Sequence, residues 1–516
     1  MSTYSNLLNK QPQTSPIFGR SDMVKNNATG YSFKITPEQQ LERFILMGTV
    51  GGTFYVSEQK LTVDNIQIIV DLIKTDGEKV LKTLLALKDR AVKQDPVVFT
   101  LALLCTYGSQ NVKNLTYRAI NTVCRTGTQF LTFVSEVNNM RGWSNGLRKA
   151  VANWYLTKSP EDLAYQVTKY QNRSGFTHRD VIRLSHPKTK KDVYNSILAY
   201  VSKSKRQVNL ELLPNIIKVQ EAAKTASREE TLDLIKSSSL TWEMIKTEYL
   251  NDGEILTSLL PKMGYVALLR NLNRLSAHKS LISKVVSKVK DNDAIKKSKV
   301  HPFTILNALR VYSKGSGDRG SKVWDVSQKI CDALNEAIYV ATINNVDASG
   351  KNVLLAVDVS RSMSHPASNS TTSCKDVAAL MSALTLKTED NSELIWFDTQ
   401  VYKPNVGART SFEDILKATP SGGGTDCSLA FQYMLHTKVS YDAIVIYTDN
   451  ETWAGKQHSL PLLEMCRKIN PDLKVIEVAA QANSYSNLPE DKNLLRIVGF
   501  DANVNILINN FIKGSN

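Results

Sequence analysis

Asp358-Val359-Ser360-Arg361-Ser362 is followed by a glycine triplet running into Thr425-Asp426, and then by Ile446-Tyr447-Thr448-Asp449. Two carboxylates, Asp358 and Asp449, and three hydroxyls, Ser360, Ser362 and Thr425, suit a hard divalent cation. Mg²⁺ in particular takes oxygen ligands, needs few carboxylates and completes an octahedron with water or an outside ligand. The glycines at 422 to 424 let the backbone approach an ion without a Cβ in the way. Taken singly, each piece also reads as a turn or a helix N-cap. Their order, with each at a strand end or on a glycine loop, points to a metal site and to Mg²⁺ or another divalent cation as cofactor.

The elements that must position these residues are legible around them. Val353 to Val357 is an unbroken apolar run, the pattern of a strand buried on both faces of a parallel sheet. Asp358 emerges at its end, where open α/β sheets place ligands. Ala443 to Tyr447 is a second such run and delivers Asp449. Further strands are predicted at 393–397, 473–479 and 494–499, alternating with helices near 375–387, 411–418, 428–437, 460–469 and 503–513. Residues 346–516 thus read as a doubly wound α/β domain.

The preceding two thirds have another texture. Residues 1–35 are polar and rich in Asn, Ser, Gln and Thr, and read as a flexible N-terminal arm. From Thr36-Pro37 onward, apolar residues recur at helical spacing through residue 345: Val63–Ile73, Gly77–Leu87, Pro96–Tyr107, Asn114–Val123, Gln129–Val137, Asn145–Tyr155, Leu210–Thr225 and on to Pro302–Tyr312. Short polar links between these helices fit stacked pairs of the HEAT or armadillo kind; a plain irregular all-α domain is the other reading. Lys314 to Gly320 reads as a loop.

Charge divides along the same line. Residues 1–345 hold 49 Lys and Arg against 30 Asp and Glu, and residues 346–516 hold 15 against 19. An excess of +19 on one region and −4 on the other places a polyanion partner on the helical part, because neutralising phosphates releases condensed counterions. Within it, Thr177 and Asp180 make a capping box opening a helix that Pro187 stops. Arg179, Arg183 and His186, at i, i+4 and i+7, are expected on one face, with Lys188, Lys190 and Lys191 beyond, and guanidinium groups so spaced suit successive phosphates. An ordinary solvated face is the alternative for this helix and for the lysines at 284–299.

Hydrophobic content of 42% and charged content of 22% are ordinary for a soluble chain of 516 residues with two or more domains. No apolar stretch nears the roughly 20 residues that span a bilayer, and no signal peptide is visible. Six scattered cysteines without a Cys-x-x-Cys pair argue for reduced thiols, no structural zinc and a cytoplasmic setting. A metal-dependent hydrolase would need a positioned base; His365, alone in a polar loop, reads as a surface residue, and no enzyme is expected.

Leu41 to Lys60, Arg-Leu-Ser-His186, His301-Pro-Phe-Thr-Ile-Leu-Asn-Ala-Leu309, Leu354 to Ser360, Gly-Gly-Thr-Asp-Cys-Ser428 and Tyr-Thr-Asp-Asn-Glu-Thr452 together resemble the Ro ribonucleoprotein autoantigen family over nearly the whole chain. The resemblance implies a TROVE module, a ring of HEAT-like helical repeats, followed by a von Willebrand factor A domain with a metal-ion-dependent adhesion site. It implies a monomeric scaffold that binds Y-like noncoding RNA on its outer surface and the single-stranded 3′ ends of misfolded or precursor RNAs in a basic hole, for RNA quality control. Lys169, Arg173 and His186 fall on the family's Y RNA positions, and Asp358, Ser360, Ser362, Thr425 and Asp449 on its adhesion site, through which a nuclease or another protein is a candidate partner. Arg361 stands where relatives often have a small residue, and Phe176 where a Trp is expected. The competing function is a metal-dependent protein adhesion scaffold with incidental basic charge.

Overall fold

The computed structural model describes residues 10–514, apart from 49–57, 92–93, 171, 204–207, 239, 301, 318–321, 346–347, 367–372, 421, 481–482 and 500–501. Residues 1–9 of the expected arm, part of the Leu41–Lys60 motif, His301 and the tip of the 314–320 loop lie outside the described residues.

The described part of the arm, 10–35, is packed and ordered, which corrects the flexible-arm reading. It contributes β1 (Met23–Lys25) and β2 (Tyr31–Lys34), which pair antiparallel. Ordering comes from contacts far away in sequence, described below; composition alone favours disorder here.

Helices then follow one another: α1 (Pro37–Met47), α2 (Glu58–Leu87, broken at Asp76), α3 (Asp95–Tyr107), α4 (Gln110–Val123), α5 (Gly127–Arg141), α6 (Asn145–Leu156) and α7 (Pro160–Lys169). After a two-residue hairpin of β3 (Asn172–Arg173) and β4 (Phe176–Thr177) come α8 (His178–Ser185) and α9 (Asp192–Ser202). Each of α1 to α7 packs against the helix two further on. That alternation is the signature of a two-layer stack of helix pairs, so the irregular all-α alternative falls away. Capping boxes at Thr36–Gln39, Thr126–Gln129 and Thr177–Asp180 start three of these helices. The stack is held by a continuous core from Leu41 to Ile217. A smaller core, Ala223 to Leu259, carries the path onward through Asn215–Thr225 and Arg228–Ser237.

The α/β domain is built on β5 (Val353–Asp358), β6 (Ser392–Phe397), β7 (Val401–Tyr402), β8 (Ala443–Thr448), β9 (Lys474–Ala479), β10 (Tyr485–Ser486) and β11 (Leu494–Val498). Sheet order is β11-β9-β8-β5-β6-β7, all parallel but the edge strand β7. In chain order the six strands read 3-2-1-4-5-6, the doubly wound arrangement, and the reversal falls between β5 and β8. Leu354, Ala356, Ile444 and Ile446 face the core under the helices Leu429–Thr437 and Ser459–Cys466. Val353, Leu355, Val357, Val445 and Tyr447 face a second core. That second core extends to Leu256 and takes in the helices Tyr265–Arg270 to Gln328–Asn345. The end of the helical region is therefore fused to one face of the sheet, although its boundary near 345 is where the chain changes texture.

Its beginning is anchored there too. β10 leaves the main sheet and pairs with β2, and α1 packs on β11. Arg43 of α1, 5% exposed, donates to the carbonyls of Asn483 (2.6 Å) and Tyr485 (3.0 Å). Both ends of the helical path thus sit on the α/β domain. Burial depresses the Arg43 guanidinium to about 10, so it stays charged at neutral pH. Arg43→Met is expected to lower stability by about 3 kcal/mol, since it strands two buried carbonyls; urea unfolding followed by circular dichroism measures it, and a change below about 0.5 kcal/mol would refute the anchor.

All six cysteines are buried free thiols. No helix among the described residues is long and apolar enough to cross a membrane.

Candidate metal centre and nucleic-acid interface

The reversal between β5 and β8 opens a crevice at their carboxyl ends, and both candidate carboxylates sit in it. Asp358 closes β5; its Oδ1 accepts from the Ser360 amide (2.9 Å) and its Oδ2 from the Thr448 hydroxyl (2.7 Å). The chain then turns into a 3₁₀ segment, Arg361–Ser364, with Ser360 Oγ and Ser362 Oγ 3.2 Å apart. Asp449 follows β8; its Oδ1 accepts from the Glu451 amide at 3.1 Å, while its Oδ2 is buried without a hydrogen-bond partner. The Thr425 carbonyl accepts the amides of Trp453 and Ala454, both at 3.0 Å, which ties the glycine loop to the loop after β8. Asp358, Ser360, Ser362, Thr425 and Asp449 are all at most 3% exposed. The structure brings Asp358, Ser360, Ser362 and Asp449 together, and sets the Thr425 loop beside them through the Gly422 amide, which donates to the Val359 carbonyl at 3.2 Å.

Two glycines of the loop are required by that closeness. Gly423 has φ +61°, and a Cβ on it would lie 2.4 Å from Asp398 Oδ2; one on Gly424 would lie 2.6 Å from the Trp453 ring.

Electrostatics supply the fit test. Burial, with the neighbouring Asp449 carboxylate second, pushes Asp358 up to about 7, and burial raises Asp449 as well. Two buried carboxylates that resist ionisation, one with an orphaned oxygen, beside three hydroxyls, form a donor set that a hard cation completes. Carboxylate and hydroxyl oxygens are the donors a hard cation such as Mg²⁺ takes, whereas structural zinc takes thiolates and imidazoles; among the described residues no three His, Cys, Asp or Glu side chains gather as a metal cluster. Sequence reasoning missed two buried acids of the surrounding shell. Glu451 is pushed up to about 7 by burial and by Asp449, and Asp426 is raised by burial; their place inside the same motifs was the available signal.

The basic residues form a second locality on α7 to α9. The Thr177 hydroxyl accepts the Asp180 amide (3.2 Å) and the Asp180 carboxylate accepts the Thr177 amide (3.0 Å), as the capping-box spacing predicts. His186 corrects the one-face reading: α8 ends at Ser185, and His186 is a left-handed cap with φ 47°. It nevertheless lines, with Arg183 and Lys188, a depression of about 640 Å³ between α8 and α9. Arg179, half-buried, does not line it. Lys169 ends α7 with its ammonium 2.6 Å from Tyr165 Oη and over the Tyr165 and Tyr170 rings, and Arg173 is exposed on the β3–β4 hairpin. Beneath them Phe130 and Trp154 stack at 3.9 Å, and His178 at the start of α8 shares a 3.0 Å hydrogen bond with Tyr155. Burial depresses His178 to about 3, so it is neutral and belongs to the packing. Of the lysines at 284–299, Lys288 donates to the Pro261 carbonyl (2.9 Å) and Lys290 pairs with Glu336 (2.6 Å), which makes these two part of the frame.

A helical-pair stack anchored on an α/β domain, with an Asp-x-Ser-x-Ser, Thr and Asp constellation at the sheet's reversal, defines a helical-repeat scaffold carrying a von Willebrand factor A-type domain. Residues 24–240 and 236–310 match the TROVE domain, and residues 352–512 match the Ro60 vWA domain. The chain belongs to the Ro60 family of TROVE and vWA proteins. It is 31% identical to the RNA-binding protein RO60 of Deinococcus radiodurans, over 99% of this chain and 98% of that one, and 29% identical to the RNA-binding protein RO60 of Caenorhabditis elegans, over 96% and 91%. The crystal structure of the Deinococcus radiodurans RO (RSR) protein superposes with a TM-score of 0.74 at 30% identity, covering 93% of this chain and all of that one. The TROVE match begins at Asp22's neighbour Met23 plus one, at Val24, inside β1, in keeping with the packed N-terminal segment.

Proposed function

We propose that this chain is an RNA-binding scaffold that performs no chemistry itself. The full-length correspondence with proteins named for RNA binding carries the reading, and the basic depression lined by Arg183, His186 and Lys188 supports it. Structured, Y-like noncoding RNA lies on the outer surface formed by Lys169, Arg173, Arg179, Arg183 and His186, whose ammonium and guanidinium groups pair with successive phosphates. The helical path takes single-stranded 3′ ends of misfolded or precursor RNAs, which makes the scaffold part of RNA quality control in the cytoplasm. Asp358, Ser360, Ser362, Thr425 and Asp449 hold Mg²⁺. Bound there, the ion supplies a Lewis-acidic position for a carboxylate of a protein partner, a nuclease being one candidate. Ser360, Ser362 and Thr425 contribute neutral oxygens that leave net positive charge for that carboxylate, and the two aspartates fix the site.

The test is affinity for a structured RNA with a single-stranded 3′ tail against its blunt form at two salt concentrations, for the wild type and a Lys169→Ala, Arg173→Ala, His186→Ala variant. Expected are tail-dependent binding that weakens steeply with salt, and a variant that keeps tail binding while losing outer-surface RNA, with a log–log salt slope lower by about 2 for the loss of the Lys169 and Arg173 charges. Weak binding indifferent to tail and substitutions would remove the RNA reading and leave the adhesion domain as the working end.

A further inference from the structure

The segment from Lys10 to Lys34 is spread over the loops that carry two of the metal-site residues, and its most buried side chain is a glutamine. Gln13 is 0% exposed and uses every polar atom it has. Its Nε2 donates to Asp426 Oδ1 (2.8 Å) and to the Gln457 carbonyl (2.9 Å); its Oε1 accepts the Gly455 amide (3.1 Å) and the Thr452 hydroxyl. Its own amide donates to the Gly455 carbonyl at 2.9 Å. Asp426 adjoins Thr425, and Thr452 lies three residues beyond Asp449, so one side chain joins the glycine loop to the loop after β8. A second grip lies at the turn between β1 and β2. Asn26 Nδ2 donates to the Thr452 carbonyl (2.7 Å), and a Cβ on Gly30 would lie 1.9 Å from that same oxygen. Asn27 Nδ2 (3.0 Å) and the Ala28 amide (3.2 Å) donate to the two oxygens of Glu451, whose own amide donates to Asp449 Oδ1 at 3.1 Å.

We propose that this N-terminal strap is a built-in part of the metal site, with Gln13 and Asn27 as positioning residues that set the Thr425 and Asp449 loops for the cation. Strap docking and cation binding are then coupled, and the coupling is reciprocal. Because β2 runs through the Thr36 cap into α1, the same strap links the metal site to the first helix of the repeat stack. The inference rests on the metal reading proposed above.

Two measurements on the full chain decide it. The first is Mn²⁺ affinity by isothermal titration for the wild type, Asp449→Ala, Gln13→Ala and Asn27→Ala, with thermal unfolding in EDTA as the control on general stability. Wild-type binding of one ion, lost in Asp449→Ala and weakened about 10-fold or more in Gln13→Ala and Asn27→Ala, is the expected result, outer-shell partners of metal ligands having effects of about that size. Affinity unchanged in both strap variants, while the wild type binds and Asp449→Ala does not, overturns the strap and leaves the metal site standing. A wild type that binds no Mn²⁺ overturns both. The second needs no substitution: trypsin cleavage at the exposed Arg20 and Lys25 is expected to slow several-fold on adding Mn²⁺ to the wild type, and equal rates with and without the ion would refute the coupling.

Discussion

Asp358→Asn is expected to stabilise the metal-free protein at pH 7.5 and to abolish its response to divalent cations. Burial and Asp449 together push the Asp358 carboxyl up to about 7. A carboxyl raised in the folded state contributes stability that is fully present below its ordinary range near 4 and lost as pH climbs through 7. In EDTA the wild type therefore falls relative to the variant across that window, and the gap is widest at its upper end. The amide still accepts the Ser360 amide on its oxygen and can donate to the Thr448 hydroxyl, so the local geometry survives. With excess Mg²⁺ the order reverses. The cation requires both aspartates ionised, and a bound ion stabilises the folded wild type by mass action, whereas the variant gains nothing. Thermal unfolding of both proteins from pH 5 to 8, with EDTA and with Mg²⁺, measures all four arms. Parallel pH profiles in EDTA would refute the strained-carboxylate account, and a Mg²⁺ increment retained by the variant would refute the metal assignment.

Trp154→Ala carries the second large effect. Trp154 is 0% exposed, stacks on Phe130 at 3.9 Å with an interplanar angle of 6°, meets Tyr155 edge-on at 5.2 Å, and donates its indole N–H to the Cys124 carbonyl at 2.6 Å. Truncation removes the largest fully buried side chain of the helical stack and strands a buried acceptor, for a loss of about 4 to 5 kcal/mol. Because the His178 ring at the start of α8 stacks on the same indole at 5.9 Å, the damage reaches the basic depression. Affinity for structured RNA is expected to fall together with the urea midpoint. Trp154→Phe keeps most of the packing and is expected to recover more than half of both losses. A Trp154→Ala protein within about 1 kcal/mol of wild type would show that the stack does not support that face.

Much of the α/β half was legible because strands buried on both faces must be continuous apolar runs, and because a doubly wound sheet places its ligand residues where such runs stop. Asp358 and Asp449 were found on that ground, and the strands observed at Val353–Asp358 and Ala443–Thr448 differ from the expected ranges by one residue at one end. The start of α8 was equally plain, since a Thr at the N-cap and an Asp three residues on satisfy each other's backbone amides at a helix start. Helices α7 and α9 are not read from the sequence, and His186 falls just past a helix that ends one residue earlier, because a left-handed cap on a non-glycine residue such as His186 leaves little trace in composition.

The sequence by itself thus determined most of the strands and helices, the order of the two halves, the division of charge and the five candidate metal-site residues. Tertiary structure alone decided three things. Residues 10–35, polar enough to read as disordered, are ordered by hydrogen bonds such as Gln13 to Asp426, spanning 413 positions, and no local pattern encodes a partner that distant. The last helices of the repeat stack share one core with the sheet, since apolar faces at helical spacing record that they are buried and not against what. Asp426 and Glu451 join the surroundings of the candidate metal site only because the sheet's reversal brings two loops and the strap to one point, where burial, and not residue type, raises their affinity for protons.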